Sequence, residues 1–149
     1  MWNNDKSLAL SKFCVRLFVA IGVGLCVGMP WLASFICNFR GAYMEGKYAL
    51  LLISVYSGAV FAFGALYGLY RLLDNIGKGA AFVQVNIKYL RSISWCCIGG
   101  GLICLASAFY YLPFLLISVM AVFVGLILRV VKNVFTDAVR IKDENDFTI

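Results

Sequence analysis

Three long stretches of the chain carry no charged residue: 17–39, 48–70 and 92–128. As helix, the first two would each be about 34 Å long at about 1.5 Å per residue, enough to cross a hydrocarbon layer of about 30 Å with some tilt. The third is too long for one crossing and about right for two. Its natural break is Tyr110-Tyr111-Leu112-Pro113, because proline removes a backbone donor and favours a turn between helices. The pattern predicts an all-α polytopic membrane protein, one domain over 1–149. Its spans fall at about 17–39, 48–70, 93–109 and 114–134, with a loop at 71–92 and a tail at 135–149.

The flanks of these runs support retained spans. Lys6, Lys12 and Arg16 precede the first run, as they would in a signal peptide, but a signal core is only about 7–15 residues long. Tyr48, Tyr67 and Tyr70 fall where interfacial aromatics sit. Counting lysine and arginine gives the orientation. With the N-terminus inside, Lys6, Lys12, Arg16, Arg71, Lys78, Lys88, Arg91, Arg129, Lys132, Arg140 and Lys142 share the inner side, against Arg40 and Lys47 outside. The bias places both termini and the central loop in the cytoplasm.

Two polar stretches could offer a shaped surface. In the central one, Ala80, Val83, Ile87, Leu90 and Ser94 recur at helical steps. They predict an amphipathic juxtamembrane helix that runs into the third span, with Gln84, Lys88 and Arg91 to one side. In the tail, Arg140 has Glu144 four residues on, and Asp137 and Asp143 at three. Four of the seven acidic residues lie here, before the apolar end Phe147-Thr148-Ile149. Lipid anchoring and docking of a cytoplasmic protein are both open readings of these surfaces.

Composition agrees with the pattern. Hydrophobic residues make up 63% of the 149, charged residues only 13%, and the mean hydropathy is +0.92. A soluble domain carries about twice that charge fraction. The net charge of +6 is clustered at the edges of apolar runs, which suits anionic lipid rather than direct nucleic-acid binding. The chain has six cysteines, Cys14, Cys26, Cys37, Cys96, Cys97 and Cys104, with no CxxC spacing and no histidine. They read as small buried hydrophobes, so no metal or other cofactor is expected.

The spans hold no ionisable side chain at depth, the usual material of proton relays and catalytic sites. The deepest polar groups are Ser54, Tyr56, Ser57, Ser107 and Ser118, which can bond to backbone within a bundle. An enzyme is not expected. Small residues at four-residue spacing, Gly24 with Gly28, Ser54 with Gly58 and Gly64 with Gly68, predict close packing of spans one and two, or a homo-oligomer face. Pro30 reads as a tolerated kink.

The two polar stretches also carry a resemblance. Phe82, Asn86, Leu90-Arg91 and Ile93, with Phe135 and the ending Ile141-Lys142-Asp143-Glu144-Asn145-Asp146-Phe147-Thr148-Ile149, resemble the YoaS-like bacterial membrane proteins, a domain-of-unknown-function family with four predicted spans. Ala138 and Ile141 stand where glycine and leucine are common in that family. Its members are often encoded beside a very small helix-turn-helix protein. The resemblance therefore implies a non-enzymatic regulator in the cell membrane that senses a membrane state or sequesters a small cytoplasmic DNA-binding partner. The surface expected to hold the partner is Phe82, Asn86, Lys88 and Arg91 with Arg140, Asp143, Glu144, Asp146, Phe147 and Ile149. A small transporter, or an immunity-type protein for uncharged or amphipathic compounds, is the alternative. A structural subunit using its glycine faces is a third.

Overall fold

The computed structural model describes residues 4–41 and 46–146; within these, the side chains of Asn4, Asp5, Arg40, Asp143, Asn145 and Asp146 are not described. Four helices account for nearly all of it: α1 (Asn4–Arg40), α2 (Tyr48–Gly77), α3 (Gln84–Ser107) and α4 (Pro113–Asp146). Each contains a segment long and apolar enough to cross a membrane. The protein is an all-α, multi-pass membrane protein.

Local chemistry sets the helix ends. Gly79, at φ +76°, ends α2 in the left-handed region that a Cβ disfavours. The Gly79 N–H donates to the Ile76 carbonyl (3.0 Å) and the Ala80 N–H to the Asn75 carbonyl (3.0 Å). These two bonds close the helix in a Schellman arrangement. Pro113 opens α4, where its missing N–H costs nothing and its fixed φ suits the first turn. α1 continues through Pro30. A proline there frees the carbonyl four residues earlier, and the Tyr56 hydroxyl of α2 donates to that Cys26 carbonyl at 2.9 Å.

The helices alternate in direction, and each packs on its chain neighbours: α1 on α2, α2 on α3, α3 on α4. Among the described residues no comparable interface joins α4 to α1. The expected four-helix bundle is therefore an open row. Its middle pair is tied at one end by hydroxyls, with Ser107 and Tyr110 both donating to Ser54 Oγ, at 2.7 and 2.6 Å. Nearby, Met29, Ala33 and Leu51 form a small buried cluster. Most other apolar side chains, such as Trp31, Val60 and Leu116, are exposed. In a spanning protein those faces meet lipid.

The close approaches differ from those the small-residue spacing suggests. A Cβ on Gly24, Gly28 or Gly58 would meet nothing, since these positions face away from the neighbouring helices. Gly68 and Gly64 do sit at an interface, but with α3 rather than α1: a Cβ on Gly68 would lie 2.8 Å from Ile93, and one on Gly64 3.2 Å from Cys96. On the α1–α2 side the tight glycines are Gly77, where a Cβ would lie 2.7 Å from Leu8, and Gly22, at 3.1 Å from Phe63. The tightest backbone contact is between α3 and α4. There a Cβ on Gly125 would meet Ile98 at 2.8 Å and the Ser94 carbonyl at 3.2 Å. The buried Ser94 hydroxyl donates to the Gly125 carbonyl at 2.7 Å.

Candidate functional site: the basic end of the helix row

Alternating helix directions bring the start of α1, the turn at 78–83 and the end of α4 to one end of the molecule. The eleven basic residues counted together in the sequence belong to this end. α4 alone, at 34 residues, would be about 51 Å long against a hydrocarbon core of about 30 Å. A polar extension several turns long therefore projects past the apolar layer.

The α1–α2 side of this end is fastened by Asp74, which lies beyond the charge-free run 48–70. Its carboxylate accepts from Lys12 of α1 at 2.9 Å and from Lys78 at 2.7 Å. Hydrogen bonds from Lys78 and then Lys12 hold the Asp74 carboxyl down, from its ordinary 3.8 to about 2. One turn deeper, the Arg16 guanidinium lies 5.8 Å from the centre of the Tyr70 ring.

The turn between α2 and α3 is organised by Asn86. Its amide nitrogen donates to the carbonyls of Ala80 (2.8 Å) and Ala81 (2.7 Å), and its amide oxygen accepts from Asn75 Nδ2 at 2.8 Å. Asn86 is 0% exposed. A buried amide is stable only with its hydrogen bonds made, and this one spends them holding the turn against the last residues of α2. Residues 80–83 are consequently not helical. The apolar stripe expected to begin at Ala80 and Val83 enters α3 only from Gln84, with Leu90, Ile93 and Ser94 buried.

Phe82, at the tip of this turn, is 47% exposed. Its ring centre lies 5.6 Å from that of Phe135 on α4. The two stretches that carry the family-like residues therefore touch, and Val139, one turn past Phe135, is buried. Of the expected partner surface, Phe82, Lys88, Arg91, Arg140 and Glu144 are exposed. Arg140 pairs with Glu144 at 3.7 Å. Asn86 departs from that list, because its side chain is enclosed and fully engaged within the chain. Phe147 and Ile149 lie outside the described residues, as do the side chains of Asp143 and Asp146.

Two concavities flank this end. Between α3 and α4, Arg91, Ser94, Trp95, Arg129 and Lys132 line a cavity of about 350 Å³. The Arg129 guanidinium sits 4.7 Å from the centre of the half-exposed Trp95 ring, a cation–π distance. Between α1 and α2, a groove of about 360 Å³ is lined by apolar and aromatic residues, among them Val19, Phe63 and Tyr67 with Arg16 at its rim.

In the sequence Arg129 and Lys132 count only among the basic residues of the inner side, and Trp95 carries no signal of its own. Their meeting with Arg91 depends on the register of α3 against α4, which residue spacing does not carry. The Asn75–Asn86 pair gave no periodic signal either. The one available hint was two asparagines flanking a glycine-rich turn.

The model of the family described as "Protein of unknown function (DUF2975)" matches residues 38–149. The chain is also 25% identical, over 98% of its own length and 99% of the relative's, to a Bacillus subtilis (strain 168) protein described as "Uncharacterized membrane protein YoaS". No solved structure matches it. With the family model covering α2, α3, α4 and the family-like residues of the turn and tail, the chain belongs to the DUF2975 family.

Proposed function

We propose that the protein is a non-catalytic regulator of a bacterial cell membrane. Its basic end faces the cytoplasm and holds a small DNA-binding partner. The observation that supports this reading is the Phe82–Phe135 contact beside the Asn86 clamp, which joins the turn and the projecting part of α4 into one fixed surface. The lysine and arginine bias supports the orientation, and the family resemblance suggests the class of partner. Helices packed in an open row take much of their spacing from the surrounding lipid. A change in the bilayer would thus alter the spacing of the row and, with it, the setting of the surface that the turn and α4 carry together.

The test is an affinity pull-down from gently solubilised membranes with three proteins: the full chain, one lacking 143–149, and Phe82→Ala. A small DNA-binding protein retained by the full chain and lost with the truncation supports the reading. Retention by all three places the partner elsewhere, and absence of any such protein with the full chain rejects the regulator. A second reading, handling of an uncharged or amphipathic compound, draws on the apolar α1–α2 groove. A resistance phenotype that survives loss of 143–149 would favour it.

A further inference from the structure

We propose that the cleft between α3 and α4 is a binding site for the phosphate of an anionic phospholipid headgroup. Arg91, Arg129 and Lys132 line one cavity, and no acidic residue lines it with them. No described carboxylate forms an ion pair with any of the three: the ion pairs among the described residues use Lys12, Lys78 and Arg140. Asp137, the nearest acidic residue along α4, forms none of these pairs. Three like charges brought to one cavity repel, and they are best stabilised by an anion placed among them. Guanidinium groups suit a phosphate because they offer donors in a planar fork.

The level of the cleft selects a lipid. Arg91 is the last charged residue before the charge-free run 92–128, and Arg129 is the first after it. The Ser94–Gly125 hydrogen bond sets the two helices so that both residues lie at the same rim of the apolar layer. Lipid phosphates occupy that boundary, and basic pockets between spanning helices are suited to their headgroups. Trp95, at the same level, is an interfacial side chain. Leu102, two turns below Trp95 on the same helix face, and Leu126, a turn below Arg129, are both exposed and offer an apolar path for acyl chains. Ser94 is already engaged with Gly125, so the cations supply the recognition.

The purified full chain in neutral detergent is titrated with phosphatidylglycerol, with phosphatidylcholine of the same acyl chains, and with inorganic phosphate, reading bound lipid by native mass spectrometry and melting temperature in parallel. The wild-type chain should retain phosphatidylglycerol preferentially. Arg129→Gln and Lys132→Gln should each weaken that retention roughly fivefold, the loss of one surface charge. Lys142→Gln, outside the cleft, should leave it unchanged. Equal retention of the two lipids, or undiminished selectivity in both cleft variants, overturns the proposal. Stabilisation by inorganic phosphate that displaces the lipid overturns it in favour of a free anion. Should Arg129→Gln fail to fold, Lys132→Gln alone decides, since that side chain makes no described contact that holds the helices together.

Discussion

The ring of Phe82, in the turn between α2 and α3, lies against the ring of Phe135 on α4, centre to centre 5.6 Å at an interplanar angle of 33°. They stand 53 positions apart in the chain, and each belongs to one of the two stretches that carry the family resemblance. The contact couples the turn to the projecting end of α4. A double-mutant cycle of Phe82→Ala and Phe135→Ala should give a coupling of about 0.5–1 kcal/mol, the usual worth of an aromatic pair beyond its area, measured by denaturation in detergent. Additive effects would show that turn and tail move independently.

Asn86 should be the least replaceable polar residue in the chain. Asn86→Ala leaves the Ala80 and Ala81 carbonyls without their donor and should cost roughly 2–3 kcal/mol. Asn86→Asp keeps the shape but aims an oxygen at both carbonyls, so it should cost at least as much. Limited proteolysis of the 78–83 turn checks this directly: cleavage there should rise sharply in both variants.

Two glycines within spanning helices should respond in opposite ways. Gly125→Leu drives a side chain into Ile98 and the Ser94 backbone and should destabilise by about 1–3 kcal/mol or more, as overpacking does. Gly28→Leu adds its side chain to open space and should leave the melting temperature of the purified monomer within error of wild type.

The Tyr56 hydroxyl compensates for Pro30, and the compensation is measurable. Tyr56→Phe should cost on the order of 0.6 kcal/mol, typical of a hydrogen bond between spanning helices. In the Pro30→Ala background the helix supplies its own donor to the Cys26 carbonyl, so the same substitution should cost close to nothing. An unchanged cost in both backgrounds would mean that the bond does not answer the proline.

Much of the fold is legible in the sequence, for a simple reason. Lipid excludes charge, so the runs 48–70 and 92–128 declare themselves, and Pro113 marks where the latter folds back. The Arg140–Glu144 pair is equally plain, because four residues make one helical turn. Asn86 is the opposite case. A polar residue near a glycine-rich loop reads as exposed, and its burial follows only once Gly79 has turned the chain back over α2. Gly28 and Gly68 look alike in sequence because spacing identifies a helix face but not what it faces. Arg91 and Arg129 meet through a helix register fixed by Gly125 and Ser94, which no local pattern records.

A soluble regulator of the proposed kind would touch the basic end of the molecule. The most direct test is photocrosslinking in cells, with a benzophenone side chain introduced at Arg140 on the projecting α4 or at Lys47 at the far end of the molecule. A covalent adduct with a small DNA-binding protein from position 140, and none from position 47, is the predicted result. An adduct from position 47, or no soluble partner from position 140 while the protein is correctly inserted, would contradict it.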